Sequence, residues 1–200
     1  MRPAYKGIFA ELALGQNPDV LLIACSDSRV APNVFASSDP GDALVVRNVG
    51  NLVPKPPADE SSEGAAIHFA VEEIKVTDII VCGHSECGAM KALTEGVSAI
   101  PDGWLENAAS SLERWKQGFR LPGDLTPVNQ LSQINVLEQM SHVAAYEPVA
   151  ARVSRGALRV HGWWFDIANA EVQYFDAKAQ RFKVLDEAEV EKLLAGLDTL

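Results

Sequence analysis

Two short clusters in this 200-residue chain carry the residue types from which a metal centre is built: Cys25-Ser26-Asp27-Ser28-Arg29 and His84-Ser85-Glu86-Cys87. Zinc is bound by thiolate and imidazole, and a catalytic zinc takes three protein ligands and leaves a fourth position open. Cys25, His84 and Cys87 supply three such ligands, with no obvious fourth cysteine or histidine beside them. Asp27 and Arg29 alternate with Cys25, so on an extended exit from a strand all three side chains share one face. There the carboxylate can accept a hydrogen bond from a reacting water, and the guanidinium can fix the carboxylate through a bidentate pair. Alone, a His-x-x-Cys pattern is common by chance, and Asp27 with Arg29 reads equally as a structural ion pair. The conjunction of the two clusters carries the chemistry.

The elements that position them are legible. Val20-Leu21-Leu22-Ile23-Ala24 precedes the first cluster and Ile79-Ile80-Val81-Cys82-Gly83 the second. Short runs of this kind read as strands buried on both faces, and a helical pattern between them makes the sheet parallel. The carboxyl ends of parallel strands share one edge, so the clusters meet there. Further strands are predicted over 43–48 and 158–166, with an alternating segment, 171–176, hairpinned as an antiparallel edge strand. Helices are predicted over 8–14, from a Ser61 or Ser62 cap to Ile74, from Cys87 to Leu93, over most of 101–118, from Thr126-Pro127 through Met140, after Pro148, and over 187–197. The expected fold is α/β: a mostly parallel central sheet of four strands plus the edge strand, flanked by helices, in a single domain over 1–200.

Composition sets the bounds. Hydrophobic residues make up 48% of the chain, enough for a sizeable core, and a net charge of −10 argues against nucleic acid and anionic membranes as partners. Three cysteines form no disulfide framework and fit a reducing, cytoplasmic setting. No apolar region of a signal peptide follows Met1 to Lys6, and no run approaches the length of a membrane span. Cys82 reads as a core residue, His68 as exposed, and His142 and His161 as packed or solvated.

The two clusters, together with Gly41-Asp42, Val45-Val46-Arg47-Asn48, the Asn129 to Leu137 segment and His161-Gly162-Trp163 with Phe165-Asp166-Ile167, resemble the β-class carbonic anhydrases over nearly the whole chain. The resemblance implies reversible hydration of carbon dioxide to bicarbonate and a proton. It makes Cys25, His84 and Cys87 the ligands of one zinc ion per chain, and Asp27 with Arg29 the catalytic dyad. Gln16 matches a substrate-binding glutamine of the plant-like branch, and Val49 and Phe69 are candidate apolar walls for an uncharged substrate. A homodimer or higher even oligomer is implied, although the usual N-terminal dimerisation helix is short or missing. One branch of the family closes its site with bicarbonate held by an arginine, a tryptophan and a tyrosine; the matching positions are Arg47, Leu22 and Phe69. Two rival functions share the motifs: hydrolysis of carbonyl sulfide or carbon disulfide, and a non-catalytic zinc module.

Overall fold

The computed structural model describes residues 5–97 and 99–197; the N-terminal reading over Met1 to Ala4 lies outside them. The chain runs α1 (Lys6–Leu12), β1 (Val20–Cys25), α2 (Pro32–Phe35), β2 (Ala43–Asn48), α3 (Ser62–His68), β3 (Asp78–His84), α4 (Gly88–Glu95), α5 (Asp102–Leu105), α6 (Ala109–Lys116), α7 (Pro127–Ala144), α8 (Glu147–Val153), β4 (Arg159–Asp166), β5 (Glu171–Asp176), β6 (Arg181–Val184) and α9 (Glu187–Leu197). A π-helical turn, Phe69–Ile74, extends α3, and a 3₁₀ turn, Glu106–Ala108, divides α5 from α6.

The six strands form one sheet in the order β2-β1-β3-β4-β5-β6. The first four are mutually parallel, as the buried apolar runs require, and β5 and β6 join antiparallel. The sequence reading ended the sheet at β5; the structure adds β6 outside it. Its four residues, Arg-Phe-Lys-Val, are too short for a clear period. The turn before it lacks glycine and is closed instead by Asp176, whose Oδ1 accepts the backbone N–H of Lys178 and Ala179.

From β1 the chain crosses to β2 on one side and returns to β3 on the other. The crevice between β1 and β3 is therefore the point where the winding reverses, the place at which open parallel sheets hold their ligands. Leu21 and Ile23 of β1 face a core completed by Ile67, Val71, Val136, Val143 and Val149. Leu22 and Ala24 face the opposite side, with Val30, Ile80, Cys82 and Phe165. Cys82 is wholly buried, and burial pushes its thiol up to about 12.

Helix α7 is capped as predicted, with Thr126 Oγ1 accepting the Asn129 N–H. It packs directly on the sheet because Gly83 leaves room for it. A Cβ there would lie 2.6 Å from Val136 Cγ2. The helix is buried along much of its length, and the buried positions include Ser132, Gln133, Asn135, Gln139 and His142. The buried polar atoms of those side chains are hydrogen-bonded except Gln133 Oε1.

Candidate metal centre and active site

Cys25 is the last residue of β1 and His84 the last of β3. The strands are neighbours, with Ala24 opposite Cys82, so both side chains emerge into the same crevice. Cys87 returns to it through a turn in which Glu86 takes a left-handed φ of 52°. An ordinary residue holds that conformation only where its surroundings impose it. Here the Glu86 N–H donates to Asn129 Oδ1 at 2.8 Å, and its carbonyl accepts from Arg29 NH2 at 3.1 Å. Cys87 is then the N-cap residue of α4.

Cys25, His84 and Cys87 are all buried, and their ligand atoms lie within 4.8 Å of one another. Ligands bonded to a tetrahedral zinc at about 2.0–2.3 Å stand roughly 3.5–3.8 Å apart, inside that limit. The imidazole gives the sharper test of fit. His84 Nδ1 lies 2.9 Å from the Ser85 carbonyl, which can only accept, so Nδ1 carries the proton. Nε2 is then an unprotonated lone pair, buried and without a hydrogen-bond partner. A buried orphan acceptor is costly unless something electrophilic sits on it, and a metal ion meets that need.

The two thiols shift each other in opposite directions. The contact with Cys87 lowers the Cys25 thiol against its burial, aided by the Gly50 N–H at 3.3 Å, while the same contact and burial raise Cys87. The α4 amides of Met90 and Ala89 do favour the Cys87 thiolate, as expected of a helix start, but the neighbouring sulfur outweighs them. A divalent cation would remove that competition and hold both as thiolates.

Asp27 is not part of this three-residue cluster. Its Oδ1 accepts from the Arg29 backbone N–H at 3.0 Å and from Nε at 2.9 Å, and its Oδ2 from NH2 at 2.7 Å. These bonds from Arg29 keep the carboxyl far below the usual carboxylate range. Because Arg29 also reaches the Glu86 carbonyl, it joins the two clusters to each other.

Of the remaining predicted residues, Val49 follows β2 at the same sheet edge, with its carbonyl accepting from Trp104 Nε1 at 2.8 Å. Phe69 opens the π-helical turn, with 41% of its surface exposed. Gln16 is at the other end. It lies in the loop before β1, between Leu12, which faces Gly41 just ahead of β2, and Val20. A strand of this length spans about 17 Å, so Gln16 does not reach the site of its own chain.

Sequence reasoning missed several positioning residues. Arg47 donates to the carbonyls of Cys25 (3.1 Å), Asp27 (2.8 Å) and Val30 (2.8 Å), pinning the first cluster from β2. Ser132 Oγ donates to the His84 carbonyl at 2.7 Å. In the sequence the α7 residues show only as a three-residue spacing of short polar residues, Asn129, Ser132 and Asn135, which sets them along one side of a mixed helix without marking what they touch.

Fold and site together define an α/β protein with a buried Cys-His-Cys cluster that could hold a metal ion at the switch point of its sheet and an Asp-Arg pair beside it. The sequence signature of the carbonic anhydrase family matches residues 20–172. The carbonic anhydrase of Synechocystis sp. is 36% identical over 187 residues, covering 90% of this chain and 67% of the relative. That of Pseudomonas aeruginosa is 34% identical over 190 residues, covering 92% and 86%. Among solved structures, the β-carbonic anhydrase CcaA superimposes with a TM-score of 0.84 at 32% identity, over 94% of this chain and 88% of the other. The chain belongs to the β-class carbonic anhydrase family, and its reaction is the zinc-dependent, reversible hydration of carbon dioxide to bicarbonate and a proton.

Proposed function

We propose that Cys25 Sγ, His84 Nε2 and Cys87 Sγ hold one zinc ion per chain for this hydration, and that Asp27, fixed by Arg29, is the hydrogen-bond acceptor that orients the attacking water. Zinc, when bound, supplies the Lewis acidity that makes water nucleophilic near neutrality, a property for which carbonic anhydrases are the standard example. The observation that carries the reading is the buried, unpartnered His84 Nε2 in the same cluster as the two sulfurs.

The chain's own contribution is orientation. A carboxylate offers about four lone-pair directions. Arg29 occupies two on Asp27 Oδ1 and one on Oδ2, which leaves one on Oδ2 to accept a proton from water. Since Asp27 stays ionised, it is always an acceptor and never presents a donor to the nucleophile. Val49 and Phe69 offer apolar surface to a substrate that needs no charged partner. Gln16 would meet substrate only in the site of a second copy. An even homo-oligomer supports that role, and two Sordaria macrospora β-carbonic anhydrases of the same fold are described as tetrameric. Among the described residues no helix is long and apolar enough to cross a membrane. All three cysteines are free, which supports a reducing, cytoplasmic setting.

Metal analysis of the purified protein, with stopped-flow carbon dioxide hydration and parallel assays on carbonyl sulfide and carbon disulfide, tests the reading. About one zinc per chain and turnover of carbon dioxide are expected. Cys25→Ser, His84→Ala and Cys87→Ser should each lose both metal and activity. Full zinc retention in any of the three removes that residue from the ligand set, and turnover of the sulfur substrates alone overturns the assignment.

A further inference from the structure

We propose that Asn135 of α7 is a positioning residue that tunes the Cys25 thiolate through Gly50. The inference rests on the zinc reading above and on one chain of hydrogen bonds. Gly50 follows β2 and donates its N–H to Cys25 Sγ at 3.3 Å, while its carbonyl accepts from Asn135 Nδ2 at 3.1 Å. Gly50 has a φ of 88°, and a Cβ there would lie 2.9 Å from the Ala89 Cβ. A glycine under no side-chain constraint needs an outside grip to hold one conformation, and Asn135 supplies it.

The direction of that grip is dictated by a backbone group. The Val53 N–H can only donate, and it donates to Gln139 Oε1 at 2.7 Å. Gln139 must therefore present its Nε2, which donates to Asn135 Oδ1 at 3.0 Å. Ser111 Oγ donates to the same oxygen at 3.0 Å. With Oδ1 accepting twice, Asn135 can only offer Nδ2 to Gly50. Ser111, Asn135 and Gln139 are all buried, so each group has a single satisfied arrangement.

A hydrogen bond to a metal thiolate draws electron density off the sulfur and fixes its lone pairs, so the protein sets both metal affinity and metal charge from outside the ligand shell. Asn135→Asp keeps the accepting oxygen but turns a second oxygen toward the Gly50 carbonyl, repelling it. Ser111→Ala removes a partner of Asn135 and leaves the Gly50 bond in place, so it controls for core damage.

Two readouts other than activity decide the matter: release of zinc to excess chelator, and scalar coupling between the Gly50 amide proton and cadmium-113 in the cadmium-loaded protein. The wild type should show the coupling. Asn135→Asp should lose it and release zinc roughly tenfold faster, while Ser111→Ala should keep both properties within about twofold. Asn135→Ser carries the same expectation should the aspartate variant not fold. An uncoupled wild type, an Asn135→Asp protein with unchanged release, or equal effects in Ser111→Ala would each overturn the role of Asn135. A wild type that takes up no metal would instead overturn the metal-centre reading itself.

Discussion

Replacing Asp27 by asparagine tests the orientation argument at a single atom. All three groups that Arg29 directs at the carboxylate are donors: the backbone N–H, Nε and NH2. Asparagine can keep its oxygen toward the backbone N–H and Nε, but its amide nitrogen then faces Arg29 NH2, donor against donor. One charge-assisted hydrogen bond is lost, about 1.5–3 kcal/mol for a shielded pair. Arg29 is 48% exposed, so solvent screening reduces the expected loss of fold stability to about 1 kcal/mol. The catalytic effect is larger, because the amide presents a donor where the attacking water needs an acceptor. Loss of a positioned proton acceptor costs about 10²–10⁴ in rate, or about 2.7–5.4 kcal/mol of barrier at 1.36 kcal/mol per tenfold. Zinc content should be unchanged, since Asp27 is outside the Cys25, His84 and Cys87 cluster proposed to hold the ion. The assay is stopped-flow hydration with a pH indicator, wild type against Asp27→Asn at matched zinc occupancy. An asparagine variant within threefold of wild type, or one that loses its zinc, would refute the assignment of Asp27.

Three further outcomes follow from the geometry. Gly83→Ala should lower stability by about 1–3 kcal/mol, seen as a reduced urea midpoint at unchanged slope, because the new methyl overlaps Val136; an unmoved midpoint would contradict the close packing of α7. At the opposite sheet edge, burial disfavours the ionised form of Asp78, but bonds from Arg159, His161 and Thr77 outweigh it and bring the carboxyl down to about 2. A carboxyl depressed on folding adds stability above its unfolded value of about 3.9 and loses it as pH falls through the folded value. Urea unfolding across a pH series should therefore fall between pH 4 and 2, and Asp78→Asn should flatten that fall. Added bicarbonate should not inhibit cooperatively: Leu22 and Phe69 have no donor to offer an anion, and Arg47 already donates to three carbonyls. A sigmoidal loss of hydration rate would show that another anion site exists.

The parts of the fold legible in sequence are those where one strong pattern dominates. Val20 to Cys25 and Asp78 to His84 are nearly unbroken apolar runs, and a parallel sheet leaves little choice but to bring their ends together. The ligand types were visible for the same reason, since chemistry fixes them. Whatever depends on shape was not visible. Helix α7 announces itself through Leu131 and Ile134, yet nothing in its period says that Ser132 reaches the His84 carbonyl or that Asn135 holds Gly50. The closeness of Cys25 and Cys87 also needed coordinates, because two thiols at a strand end and a helix start carry no sequence mark of their separation. Gln16 shows the reverse case: it has a matching position in the family, yet its own chain keeps it a full strand length from the crevice.

The hydrogen bond from Arg29 to the Glu86 carbonyl joins positions 57 residues apart, and the metal ligands are divided in the same way. No local segment of this chain can assemble the centre. An opened chain retains two fragments, the lone Cys25 thiol on one side and the Cys82, His84 and Cys87 side chains on the other, and the second must order its own segment before it can chelate. Zinc therefore prefers the folded sheet, and an ion that prefers the native state stabilises it by mass action, by at most about 2.7 kcal/mol when free ion exceeds its dissociation constant a hundredfold. The melting temperature of this protein should track the free zinc of its surroundings, and the unfolding event that parts β1 from β3 is also the event that returns the ion to solution.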